Sequence, residues 1–202
     1  MGYHTNFDGS ITISRPLTEK ERDYINLISN TRRMKRDVTK LMELYKGEHG
    51  NPFATDTTPE AIYGRDGEYF AKDDGQSGQS KDDSIIDYNT PPGQLGYDDK
   101  SFDDFNGRWN EMQRRIADGE CQPGLWCAWI ISDDGAVLEW DGGEKFYEYV
   151  AWLKYYINNF FSKWGVMLNG EITWVGEDIS DLGKIVVTDN VVEVKTGSIT
   201  YE

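Results

Sequence analysis

"GLWCAWIISDDGAVLEWDGG", residues 124–143, is the stretch on which the fold turns. Two apolar runs rich in Trp, Ile and Val flank Asp134-Gly135, a dipeptide suited to a tight hairpin because glycine accepts the positive φ of such turns. Two antiparallel strands are predicted. In the next stretch, "EKFYEYVAWLKYYINNFFSKWG" at 144–165, the period changes. Phe146, Val150, Leu153, Ile157, Phe160, Phe161 and Trp164 share one side of a helical wheel, with Gly165 as the stop. Asp141 and Glu144 are expected as its N-cap and first-turn acid. Three further strands follow in "VMLNGEITWVGED", "GKIVVTDN" and "VVEVKTGSITYE", with Asn169-Gly170 and Asp189-Asn190 as turns.

Toward the N-terminus, "YHTNFDGSITISRP" at 3–16 alternates like a strand or a small hairpin about Asp8-Gly9. Thr18 and Glu21 have the spacing of a capping box. From there one helix is predicted, its apolar stripe made by Tyr24, Leu27, Ile28, Met34, Val38, Leu41, Met42 and Tyr45 and its stop by Gly47. Residues 47–122 are rich in Gly, Pro, Ser and Asp, which predicts an irregular acidic insertion with a short helix at 103–118 before Gly119. The order of elements predicts a single α+β domain over 1–202. It would have a mostly antiparallel sheet, two main helices on one face, a split βαβ (ferredoxin-like) plan, and a C-terminal strand extension.

The formal charge of −15 and a pI near 4.5 argue against direct nucleic-acid binding, which needs clustered Lys and Arg. They suit a solubilising acidic surface, attraction to a partner with a basic surface, or imitation of nucleic acid itself. No apolar run is long enough to span a membrane, and "MGYHTNFDG" lacks the features of a secretory leader, so a cytoplasmic location is expected. Cys121 and Cys127 cannot complete a zinc site by themselves. Cys127 is expected as a small buried strand residue and Cys121 as an incidental thiol. His4 and His49 stand without companion motifs, and no hydrolase, metalloprotease or phosphate-loop signature is present, so neither enzyme chemistry nor a cofactor or metal is expected. Glu177, Asp178 and Asp181 are expected in a self-supporting Asp turn.

Against this acidity, "NTRRMKRDVTK" at 30–40 places Arg32, Arg33, Lys35, Arg36 and Lys40 together. On the predicted helix Arg33, Arg36 and Lys40 lie opposite the apolar stripe, pointing away from the core. Three explanations stand side by side. The island is a solvated face, or it pairs with acids of the insertion between Asp66 and Asp104, or Arg32 and Arg33 grip a nucleotide-like anion. For the last, "SIIDYNTPPG" is the natural companion, Asp87 and Asn89 closing one side of a cleft. Among the aromatics, Trp126 and Trp129 are expected on opposite faces of a strand. Trp152 and Tyr156 flank the stripe of the last helix. All four are core residues or anchors for a partner.

"MGYHTNFDGSITISRPL", "TRRM", "DYNTPPG", "GLWCAW", "EWDGGEKFY", "LNGEITWVGED" and "GKIVVTDN" resemble, in that order, a family of small uncharacterised proteins encoded by bacteriophages and some bacteria, including actinobacteria. The resemblance implies a phage or mobile-element origin and carries over no catalytic residue. Small acidic proteins of that origin suggest a non-enzymatic inhibitor or sequestering agent of host machinery or host defence, with capture of a nucleotide-like small ligand at the Arg pair as the alternative.

Overall fold

The computed structural model describes residues 2–73, 81–96 and 105–200, except for the side chain of Phe105. In chain order the elements are β1 (Thr5–Ile13), α1 (Glu19–Ser29), β2 (Lys35–Arg36), α2 (Val38–Tyr45), α3 (Pro59–Tyr63), β3 (Ile85–Asp87), α4 (Phe105–Ala117), β4 (Trp129–Ile131), β5 (Val137–Trp140), α5 (Tyr149–Tyr156), β6 (Leu168–Gly176), β7 (Leu182–Thr188) and β8 (Val191–Thr196). The chain divides into two compact units, one made of residues 1–26 with 128–202 and the other of residues 27–127. The inserted part therefore begins earlier and ends later than the composition shift at 47–122. It is a body with its own helices and core, where a single domain with an irregular insertion was expected.

The first unit is built on a six-stranded antiparallel sheet in the order β4-β5-β1-β6-β7-β8. Its first four strands have the order of the split βαβ plan, and β7 and β8 extend it at the C-terminal side. Odd-numbered residues of β1 face inward, so Ile11 and Ile13 are buried while Asn6, Asp8 and Thr12 are exposed. Ile11 lies opposite Leu138 on one side and Gly170 on the other. The hairpin at Asp134-Gly135 forms as predicted, with Gly135 at φ +73°. Asn169-Gly170, expected as a turn, lies inside β6 instead. Gly170 is there because a Cβ would stand 2.7 Å from the Ser10 carbonyl oxygen, and only glycine permits that strand approach. Its neighbour Asn169 braces the true turn, its Oδ1 accepting from Asp189 N at 2.9 Å.

The helix after β5 differs from its prediction at both ends. It starts at Tyr149, after Glu148 adopts a left-handed conformation (φ 54°) that a helix cannot include. Asp141 is not its N-cap, since that carboxylate accepts from Gly143 N two residues on and makes a local turn. At the far end Ile157–Phe161 form a π-helical turn, with Ser162 N donating to Ile157 O at 2.9 Å. The wider turn still places Phe160 and Phe161 in the core, where Phe160 packs edge-on against Tyr24 of α1. Trp129 Nε1 donates to Tyr149 O at 2.8 Å, tying α5 to the same buried sheet face.

In the second unit the long helix predicted from residue 19 to Gly47 is interrupted. Thr31 Oγ1 donates to Leu27 O at 2.7 Å, closing α1, and the chain then runs extended so that β2 pairs antiparallel with β3. Asp37 restarts the helix as N-cap of α2, accepting from Thr39 N and Lys40 N. Leu41, Tyr63 and Phe70 form a core cluster under α2 and α3, flanked by Val38, Met42, Tyr45 and Ile62. The short helix predicted at 103–118 is α4, with Met112 and Ile116 buried and Gly119 (φ +72°) after it; positions 103 and 104 lie outside the described residues. Among the described residues no helix is long and apolar enough to cross a membrane.

Candidate functional site

The break between α1 and α2 decides what the basic segment does. In extended conformation Arg33 and Arg36 turn inward and are each 1% exposed, where helical geometry would point them into water. Arg33 reaches neutral acceptors with every guanidinium nitrogen: Nη1 donates to Phe70 O at 2.6 Å, Nη2 to Glu68 O at 2.7 Å, and Nε to Gln122 Oε1 at 3.2 Å. Gln122 is itself fixed by donating from Nε2 to Glu68 O at 2.7 Å. Lys40 alone of the expected outward-facing set is exposed.

Arg36 sits in a second network. Its Nη1 contacts both oxygens of Asp82, at 2.8 and 2.7 Å, and donates to Ser84 Oγ at 2.8 Å. Its guanidinium carbon lies 4.5 Å from the centroid of Phe70, a cation–π arrangement in a water-poor setting. Asp82 also accepts from Tyr45 Oη at 2.8 Å and from the Ser84 hydroxyl. Burial pushes the Asp82 carboxyl up, but the bonds from Ser84, the Arg36 charge and the Tyr45 hydroxyl together hold it below the ordinary carboxylate value. The opposite happens to Tyr45: burial first, then its bond to Asp82, push its phenol up to about 12. This is the internal pairing expected between the island and acids of the 66–104 stretch. Asp74, Asp98, Asp99, Asp103 and Asp104 of that stretch lie outside the described residues.

Arg32 remains part-exposed and meets the "SIIDYNTPPG" loop. It donates to Tyr88 O at 3.2 Å and to Asn89 Oδ1 at 3.4 Å, with its guanidinium carbon 4.2 Å from the Tyr88 ring centroid. Asp87 lies opposite Lys35 in the β2–β3 pairing, and its carboxylate accepts from Asn89 N and Thr90 Oγ1. Arg32, Asp87 and Asn89 are thus brought together, while Arg33 faces the interior. An anion at this loop would be held by Arg32 without Arg33.

The aromatic candidates separate just as sharply. Trp129, Trp152 and Tyr156 are fully buried in the first unit. The rings of Tyr155 and Tyr156 stand edge-on to Trp152, whose indole N–H has no hydrogen-bond acceptor among the described residues. Trp126 belongs to the second unit and precedes β4, so the expected alternation across one strand does not arise. It is 38% exposed. The loop carrying it is pinned on both sides: Arg33 N donates to Leu125 O at 2.9 Å, and the side chains of Gln122 and Cys127 are buried. Cys127 lies in that loop, not in a strand, and burial pushes the thiol of Cys121 above its ordinary value.

Several participants escaped the sequence-based expectations. Asp82 was hidden among many acids, Tyr45 was placed by periodicity but not by its hydroxyl, and a neutral loop residue such as Gln122 carries no pattern. The Asp178 turn is as expected, its carboxylate accepting from Ser180 N and Oγ. Asp181 closes the same turn, its N donating to Asp178 O at 2.9 Å, while its carboxylate accepts from Tyr3 Oη and Trp174 Nε1.

No protein-family model, no curated protein and no solved structure matches the chain.

Proposed function

We propose that this chain is a non-enzymatic, phage-type binding protein that inhibits or sequesters a host factor with a basic surface, acting by contact. The observation that carries it is Trp126: a large aromatic residue left at the surface on a loop held by the Arg33 backbone and by buried neighbours. Tryptophan anchors dominate binding energy where they enter a partner's pocket already ordered, because little conformational entropy is then lost on association. The net charge of −15 supplies the long-range term, steering a basic partner toward the anchor.

The test is affinity purification of the tagged chain from host cells, followed by titration of the recovered partner. W126A is expected to weaken binding by roughly 30-fold or more, since anchor truncations cost about 2 kcal/mol or more, while the melting temperature stays within a degree or two. Affinity is expected to fall steeply with added salt if the acidic surface imitates nucleic acid. Turnover of a substrate by the pure protein, abolished by one point substitution, would overturn the proposal.

A further inference from the structure

The two edges of the six-stranded sheet are finished differently. At the β4 edge the side-chain amide of Asn26 closes the ladder, donating to Ile131 O at 2.9 Å and accepting from Ile131 N at 2.7 Å. The β8 edge carries no such cap among the described residues. Pairing of β7 with β8 through Thr188↔Val191, Val186↔Glu193 and Lys184↔Lys195 continues to the bond from Gly197 N to Leu182 O. The odd-numbered residues of β8 therefore point their backbone groups at β7, and Val192, Val194 and Thr196 point theirs outward. An open edge of this kind is a template for another strand.

From this edge we infer that the chain forms a symmetric dimer by antiparallel pairing of β8 with β8 of a second copy. The occupant follows from charge. With the two-fold axis at Val194, Glu193 lies across from Lys195 of the second copy, twice over, and Val194, 50% exposed, meets its own equivalent. Shifting the axis by one residue either way places Glu193 against Glu193 or Lys195 against Lys195, and like charges directly opposite are unfavourable. Only the Val194 register pairs the outward-facing backbone groups with all charges matched. Within its own chain Lys195 sits opposite Lys184, whose charge is taken by Glu171 at 2.7 Å. Among the described residues neither Glu193 nor Lys195 makes an ion pair within 4 Å, and Glu171, which Lys195 helps to hold below its ordinary carboxylate value, is bonded to Lys184, so the second copy supplies a close partner for each. The product is one continuous sheet through two copies, with Val194 at its seam.

Sedimentation equilibrium on the full chain at concentrations up to the high micromolar range tests this. A monomer–dimer equilibrium is expected, with amides of Val192, Val194 and Thr196 gaining hydrogen-exchange protection as concentration rises. E193K and K195E are each expected to weaken the dimer by roughly tenfold or more, because both symmetric pairs turn from attractive to repulsive. Both positions are exposed, so the melting temperature of dilute protein should hold. An equimolar mixture of the two variants is expected to recover association, since a mixed pair restores opposite charges, and E193K/K195E should dimerise like the parent. A monomer at every concentration overturns the inference. So does a dimer indifferent to both single variants, or one whose mixture fails to recover.

Discussion

At Glu21 one carboxylate accepts a two-pronged pair of bonds from Arg15, at 2.9 and 2.8 Å, and caps α1 through Thr18 N at 2.8 Å. The Arg15 guanidinium is the largest influence and, helped by Thr18, holds the Glu21 carboxyl down at about 2 although burial pushes the other way. Because the folded value lies below the unfolded one, the stabilisation is complete above about pH 4.5 and is lost as pH falls toward 2. E21Q is therefore expected to cost about 1–3 kcal/mol at neutral pH, measured by urea unfolding, with the difference from the parent vanishing near pH 2; a difference that grows on acidification would contradict this. Asp82 makes the same point with higher stakes. Removing it leaves Arg36 charged and enclosed, so D82A is expected to lose about 3–5 kcal/mol. R36M/D82A should lose clearly less than the sum of the two single variants, because it removes the buried cation together with its carboxylate partner.

Among the elements, the interruption between α1 and α2 is the most consequential. The stripe from Tyr24 to Tyr45 has helical spacing throughout, yet the chain leaves the helix for the length of β2. Two local devices accomplish this, the Thr31 hydroxyl closing α1 and Asp37 opening α2, and the ladder to β3 takes up the backbone groups between them. D37A is expected to cost about 1 kcal/mol in thermal or chemical unfolding; no loss would mean that the β2–β3 pairing alone positions α2. Gly67 has a related role beside the same segment. At φ +80°, a Cβ there would stand 2.9 Å from Arg36 Cβ, so G67A combines backbone strain with a clash against an immovable neighbour. It should destabilise by more than the roughly 1 kcal/mol of an ordinary glycine replacement. Equal stability would show that the turn Arg65–Gly67 can shift.

For the whole molecule, a charge of −15 on 202 residues implies self-repulsion that counter-ions relieve. The melting temperature is expected to rise by a few degrees between about 10 and 300 mM sodium chloride. A fall would mean that favourable surface ion pairs, such as those around Arg114, outweigh the repulsion. The plan of the sheet was legible from strand periodicity, the Asp134-Gly135 and Asp189-Asn190 turns and the helix between them, because these signals depend on neighbours a few residues apart. The direction of Arg33 and Arg36 was not legible. It is set by acceptors at residues 68, 70, 82, 84 and 122, remote in sequence, and a carbonyl such as that of Phe70 announces nothing in the one-letter code. The same holds for the aromatics: Trp126 and Trp129 are alike in local context, and only the packing of each unit buries one and leaves the other in water. By itself, then, the sequence determined the α+β class, the strand order and the acidic character. Tertiary structure alone decided which charges and rings face solvent, since burial is a property of what the distant chain brings alongside.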